Sequence, residues 1–428
     1  MLACMGMGRA TGSGLARALA AIALAALPFA FSAGVGGCSS QPAAASNHAG
    51  TANDGGDATT GDDASGSSSG SSSGSGSGSS SGSGGGSDAA TDAGGPDCSL
   101  ALGSYSGSNW PPACAPFYAA TSFFNTPIPA NPTLASNSPT IMSFYAGSYN
   151  GFKGMGTINV GDPNSAAEFG HPVYFGRATD PLFTLHCLNG AMWGMCSFEG
   201  TQVHIPNGAA PAGGTDGHLG VIDQTSGNEY DMWQAQRAAV DGGELDCTYG
   251  GMSPFVGPGF TVGAGDATAS HANLAAGLIR SEELIAGEID HVLFGTVACC
   301  NGQTVGASKT YGGICDTMCA SNQGGALGQV YMLAMTDAEI DALGKSPAGT
   351  AILKAMAHYG IVDGDENAWG FLLNAVTPSV SRTSVGGTDP IVAWAKAQGL
   401  PSDGSGGYTI DYGGGIDWAT KLVALAPP

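Results

Sequence analysis

The stretch that decides the reading is Gly217-His218-Leu219-Gly220-Val221-Ile222-Asp223, then Gln224-Thr225-Ser226-Gly227, then Asn228-Glu229-Tyr230-Asp231-Met232-Trp233-Gln234. Apolar and polar residues alternate on both sides of a four-residue turn, the pattern of a β-hairpin. Pairing Asp223 with Asn228 sets Leu219 against Met232 and Val221 against Tyr230, an apolar side for the core. Period two puts Ile222 opposite Glu229, Gly220 opposite Asp231 and His218 opposite Trp233 on the other side. Opposed side chains stand about 5 Å apart, so His218, Glu229, Asp231 and Trp233 share one face. Gly220 leaves room over Asp231, as where something approaches the backbone closely.

That face carries the candidate chemistry. Two carboxyls two residues apart on one strand are separated by roughly 6.5–7 Å at Cβ, a spacing that serves an acid/base or acid/nucleophile pair. A carboxyl beside another has a raised pKa, which suits a general acid. Aromatic rings beside carboxylates and a histidine build many sugar clefts. Asp231 and Glu229 are therefore candidate catalysts, with His218 orienting them or sharing the proton. Trp233 is a candidate sugar platform, with Gly220, His271 and Arg280 as further substrate contacts. The competing reading is a solvated polar face, ordinary on an antiparallel strand. Arg280 and Glu283, three apart, also fit a plain helical ion pair.

Outward from the hairpin, short runs punctuated by Gly, Pro and Asn read as strands: His171–Gly176, Leu182–Leu185, Gln202–Ile205, Phe260–Val262, His291–Val297 and Gln329–Met335. Asp266 opens an Ala-rich helical turn through Ala276, and Ser281-Glu282-Glu283-Leu284 a short helix stopped by Gly287. Thr336-Asp337-Ala338-Glu339 is a capping box, and Ser346-Pro347 starts a helix to Tyr359 with Ile352, Leu353 and Met356 on one face. Asp389-Pro390 starts another helix, and Ile416–Leu425 reads as a last helical piece. The fold class is mainly β: a β-sandwich or jelly-roll-like domain with helices added toward the C-terminus. Asp363-Gly364-Asp365-Glu366-Asn367 begins like a calcium loop, but Ala368 and Asn374 stand where glycine and glutamate belong, so it reads as an acidic turn.

The 428 residues carry 12 Lys+Arg against 34 Asp+Glu, a net charge of −22. No basic footprint exists for a phosphate backbone, so nucleic-acid partners are excluded, and a polyanionic substrate is disfavoured. A polysaccharide lyase, needing Arg or Gln to neutralise a uronate, ranks below a hydrolase. In this register Tyr230 and Gln234 also point away from His218. No dinucleotide, Walker or nucleophile-elbow motif occurs, and no cofactor or metal is implied.

Residues 1–38 read as an export signal: Arg9 and Arg17, then an apolar run from Leu19 to Phe31. Val35-Gly36-Gly37-Cys38 resembles the lipobox of bacterial lipoproteins, which implies acylation of Cys38 and a lipid anchor at the outer membrane or cell surface. A secretory signal cut near Ala33 is the alternative. Residues 39–97 lack Lys, Arg, aromatics, Leu, Ile and Val. They cannot bury enough apolar area to offset ordering entropy and form a disordered linker of about 40 Å reach. Residues 98–428 form the single folded domain. Cys98/Cys114 and Cys187/Cys196 bracket short segments, Cys299, Cys300, Cys315 and Cys319 crowd together, and Cys247 stands alone. In an exported protein these read as disulfide staples with one thiol left over. A four-cysteine metal site is the weaker alternative, since adjacent cysteines chelate poorly.

Two resemblances extend the reading. Glu229-Tyr230-Asp231 is similar to the start of the catalytic strand in laminarinase-type β-glucanases, although Trp233 and Gln234 stand where that family has a further Glu. Asp216-x-His218, Tyr230-Asp231-x-Trp233, Gly277-Leu278-Ile279-Arg280, Glu283-x-x-x-Gly287-x-Ile289-x-His291 and Ala355-x-x-x-Tyr359-Gly360 together resemble poorly characterised secreted β-sandwich proteins of soil bacteria. They imply an extracellular sandwich and no set reaction. The expectation is a surface-anchored lipoprotein that binds and hydrolyses a neutral polysaccharide or cell-surface glycan, touching the membrane only through its lipid. A non-catalytic adhesion module or a structural envelope protein are the alternatives.

Overall fold

The strands divide among four small sheets rather than two broad layers. The computed structural model describes residues 97–147, 151–162, 170–236, 241–263, 265–315, 318–319, 321–367, 372–373 and 379–427. The signal with Cys38, the linker up to residue 96, Ala368 and Asn374 lie outside the described residues. In chain order the strands are β1 (Thr157–Val160), β2 (Val173–Gly176), β3 (Leu182–Cys187), β4 (Gln202–His204), β5 (Leu219–Asp223), β6 (Asn228–Trp233) and β7 (Gly243–Cys247). They continue as β8 (Tyr249–Pro254), β9 (Leu293–Val297), β10 (Val330–Leu333), β11 (Ile361–Glu366), β12 (Leu372–Leu373), β13 (Tyr408–Asp411) and β14 (Leu422–Ala424). The sheets run β2-β5-β6-β8, β4-β3-β7, β12-β9-β11-β10-β14 and β1-β13.

The chain is thus mainly β with added helices, as expected. Three pairings, β2/β5, β3/β7 and β9/β11, are parallel. A purely antiparallel jelly roll contains none of these, because parallel neighbours need crossover connections that a hairpin cannot supply.

Two faces of the β2-β5-β6-β8 sheet serve two cores. Leu219, Val221, Tyr230 and Met232 pack on Phe183, Leu185, Val203 and Leu245 of the β4-β3-β7 sheet. The opposite face, through Val173, Phe175 and Ile222, meets Phe117, Phe255, Phe260 and Leu274, and reaches Phe294 and Val362 of the five-stranded sheet. A third core joins Leu293, Tyr331 and Ile361 to Ile352, Leu353 and Met356 on helix Pro347–His358.

Helix ends follow their capping chemistry. Thr336 and Glu339 form the capping box, Ser346 accepts from the Gly349 amide, and Asp389 accepts from the Ile391 amide. Helix Ser281–Ala286 stops at Gly287, which takes a left-handed φ of 74°. Three expectations need correction. Residues 266–276 form an irregular crossing segment, not a helical turn, and Phe260 makes only an isolated bridge to Ala272. The last piece is helical only over Trp418–Lys421 and then extends as β14, because β10 offers a free ladder edge to Leu422, Val423 and Ala424. Asp363–Glu366 is not a turn: it continues β11 alongside β9, with Asp363 buried.

The cysteines pair as Cys98–Cys114, Cys187–Cys196, Cys299–Cys319 and Cys300–Cys315, leaving Cys247 as a buried thiol. No helix among the described residues is long and apolar enough to cross a membrane.

Candidate functional site

The hairpin forms in the anticipated register: Leu219↔Met232, Gly220↔Asp231, Val221↔Tyr230, Ile222↔Glu229 and Asp223↔Asn228. His218, Glu229 and Asp231 do share the face opposite the apolar one. The face itself is closed, which corrects the expectation of an open cleft. Glu229, Asp231 and His218 are 0%, 1% and 3% exposed. What covers them is the chain's own segment 266–278.

Glycines make that approach possible. A Cβ on Gly220 would stand 3.1 Å from Val173 Cγ2, 3.3 Å from Asp231 Oδ1 and 3.4 Å from Leu274 Cβ. The space above Asp231 is therefore filled by Leu274 and not held for a ligand. A Cβ on Gly251 would fall 2.3 Å from the Gly265 carbonyl, and one on Gly265 would fall 2.1 Å from the Gly250 carbonyl. Only bare backbone lets the segment cross β8 so closely.

The carboxyls pin the segment down. Glu229 accepts from the Tyr118 hydroxyl at 2.9 Å, the Asn273 side-chain amide at 3.0 Å and the Ala275 backbone N–H at 2.9 Å. Asp231 accepts from the Leu274 N–H at 3.2 Å and is hydrogen-bonded to Glu229. Burial pushes both carboxyls up, and the nearby charges of Glu229 and Asp266 raise Asp231 further, well above the usual range. Glu229 has three donors, which oppose its upward shift, whereas the charge of Glu229 adds to that of Asp231.

Asp266 lies beside them, its Oδ1 taking the Ala267 and Thr268 amides at 2.5 and 3.1 Å, and burial lifts it to about 7. His218 Nε2 meets the Ala267 carbonyl at 3.0 Å, and its ring lies edge-on to His171 at 4.9 Å. Burial holds both imidazoles below their ordinary pKa, and each is neutral at pH 7.

The other named residues part company. Arg280 is buried in a separate place: its Nε and Nη2 bind Glu283 Oε1, and its Nη1 and Nη2 donate to the Pro112 and Ala113 carbonyls. Its guanidinium stacks 4.6 Å from the Phe117 ring centre. His291 Nε2 approaches Glu283 at 3.3 Å. Burial alone would raise Glu283, but Arg280 and His291 hold it down at about 2. The ion pair foreseen as the plain reading is the one that forms. It borders a cavity of about 90 Å³ also lined by Phe117 and Tyr118. His271, on the covering segment, has a left-handed φ of 63° and lies against Gly312.

Trp233 is half-buried at the end of β6, and here the surface opens. Its ring lies 6.1 Å from Trp193, and Trp193 lies 5.4 Å from Tyr249, edge to face. The Tyr249 hydroxyl donates to the Trp193 carbonyl at 2.8 Å. Trp193 is 48% exposed, flanked by Met192 at 74% and Met195 at 55%. Trp193 and Tyr249 were missed from sequence. The available signal was the run Ala191-Met192-Trp193-Gly194-Met195 inside the Cys187–Cys196 staple, more apolar than a surface turn requires.

Among the described residues, one group has metal-ligand spacing, Cys300, Cys315 and Glu366, and its two sulfurs are joined as a disulfide. In comparisons with known proteins, no family model, curated protein or solved structure matches the chain.

Proposed function

We propose that this chain is an exported, lipid-anchored glycan-binding protein. Its platform is Trp193, Trp233 and Tyr249, and its ligand is a neutral or weakly charged polysaccharide. One observation carries the reading: three aromatic rings cluster at the edge of the β2-β5-β6-β8 sheet, with Trp193 half exposed. Pyranose C–H faces pack on such rings, and the Trp polar edges can hydrogen-bond hydroxyls. The net charge of −22 suits an uncharged ligand better than an acidic one. The β2-β5-β6-β8 and β4-β3-β7 sheets, sharing one core, serve as a sandwich-like scaffold under the rings. The lipobox-like Cys38 and the Gly/Ser linker support a tethered module at the bacterial surface.

Hydrolysis by Asp231, Glu229 and His218 is the second reading, favoured by the raised carboxyl pKa values. It requires segment 266–278 to lift from the sheet. The test is a polysaccharide panel on the full chain, scored for binding and reducing-end release. Trp193→Ala is expected to weaken binding about tenfold or more. Release that disappears in Asp231→Asn would establish the hydrolase, binding without release the adhesion module. Silence on every glycan refutes both and leaves a structural envelope protein.

A further inference from the structure

Three cysteines, Cys187, Cys196 and Cys247, share the core against which Tyr249 of the ring platform packs. β3 and β7 run parallel with Leu185 paired to Leu245 and Cys187 to Cys247. Side chains alternate along a strand, so all four point to the same side. The core on that side holds Cys196 and Cys247, with Cys187 packed against it. Cys187 is bonded to Cys196, and Cys247 is a fully buried thiol. Neighbouring strands lie about 4.7–4.9 Å apart, inside the roughly 4.4–6.8 Å Cα separation that a disulfide spans. Cys187 therefore has two partners within reach, one along the chain and one across the ladder.

We propose that Cys187, Cys196 and Cys247 form an intramolecular thiol–disulfide relay that governs the aromatic platform. The proposal rests on the platform reading above. In the step, the Cys247 thiolate attacks Cys187 Sγ. The Cys187–Cys247 bond forms as the Cys187–Cys196 bond breaks, and Cys196 leaves as a thiolate. Cys196 then takes up a proton equivalent to the one Cys247 released. One disulfide and one thiol exist before and after, so no oxidant or reductant is consumed.

The consequence falls on Trp193. The excursion between Cys187 and Cys196 carries Leu188, Met192, Trp193 and Met195, all about half exposed or more. At its start, Leu188 and Asn189 donate to the Cys247 and Thr248 carbonyls. At its end the covalent tie is Cys196 alone. Exchange keeps the first anchor and removes the covalent tie at the second, which leaves the Tyr249 hydroxyl on the Trp193 carbonyl, the Met252 amide on Ser197 Oγ and the packing of Cys196 to hold the loop, so Trp193 is held less firmly beside Trp233 and Tyr249. Burial, with Glu199 and Asp246 adding, pushes the Cys247 thiol up to about 12, which keeps the resting pairing long-lived at neutral pH.

The test is disulfide mapping of the full chain by alkylation, digestion and mass spectrometry, with polysaccharide binding measured on the same samples. Wild type held at about pH 9 is expected to develop a Cys187–Cys247 peptide while Cys196 becomes alkylatable. Cys196→Ser is expected to show Cys187–Cys247 outright and to bind about tenfold more weakly than Cys247→Ser, which cannot exchange. The relay is overturned if Cys196→Ser carries Cys187 and Cys247 as two thiols and wild type never leaves the Cys187–Cys196 pairing. Failure of the platform reading looks different: the exchanged peptide forms, but no variant binds glycan. Binding that is equal in Cys196→Ser and Cys247→Ser, with exchange observed, overturns the control of the platform.

Discussion

Asp266→Asn should flatten the pH dependence of stability. Asp266 is 6% exposed and titrates at about 7 in the folded chain, against an ordinary value of 3.8. A carboxyl raised by folding binds its proton more tightly in the native state. Its penalty is absent below the unfolded value, grows as pH rises, and is complete above the folded value. Integrating between pH 5 and pH 8 gives about 2.5 kcal/mol of native stability lost through this one group. For a folded part of about 330 residues, with unfolding entropy near 2.1 cal/mol/K per residue, that is a fall of about 4 °C in Tm. Asparagine keeps the acceptor for the Ala267 and Thr268 amides and cannot ionise. Removing the charge also relieves Asp231, which Asp266 raises. Calorimetry of oxidised protein at the two pH values, at constant salt and above the sequence pI of about 4.3, measures the difference. The variant should gain about 4 °C relative to wild type on going from pH 5 to pH 8. A Tm difference between variant and wild type that is the same at both pH values would refute the buried-acid argument.

Other outcomes follow from the same contacts. Glu229→Gln should destabilise by about 2–4 kcal/mol in urea unfolding, more than Asp231→Asn, because it turns an acceptor of three donors into a group that must donate. Gly220→Ala puts a methyl group within 3.1 Å of Val173 and 3.4 Å of Leu274, and should cost about 1–3 kcal/mol in the same assay. Arg280→Ala leaves Glu283 buried without its main cation and should cost about 3–5 kcal/mol at neutral pH. The loss in Arg280→Ala should shrink as pH falls and Glu283 protonates, readable as a converging Tm.

Much of the layout was legible because it is local. The hairpin register followed from alternation and one turn, and helix limits followed from Thr336, Ser346, Asp389 and Gly287. β8 was hidden because Gly250 and Gly251 carry no pattern, yet a Cβ on Gly250 would strike the Asp231 carbonyl and the Phe198 ring, and one on Gly251 the Gly265 carbonyl of the crossing loop. The segment 266–276 has helical composition but is held as a series of bends and turns across the sheet by hydrogen bonds to Glu229 and Asp231. Tertiary bonding overrides propensity there.

Alternation along β5 and β6 settles which side chains share a face, since adjacent Cβ atoms must point to opposite sides. It says nothing of what lies over that face. The same His218, Glu229 and Asp231 read equally well as a solvent-facing cleft or a buried proton-sharing core. Burial depends on contacts between residues far apart in sequence: Leu274 over Gly220, Tyr118 on Glu229, Trp193 beside Trp233. Those contacts form only when the chain closes on itself, and with them come the raised carboxyls, the neutral histidines and the exposed aromatic edge.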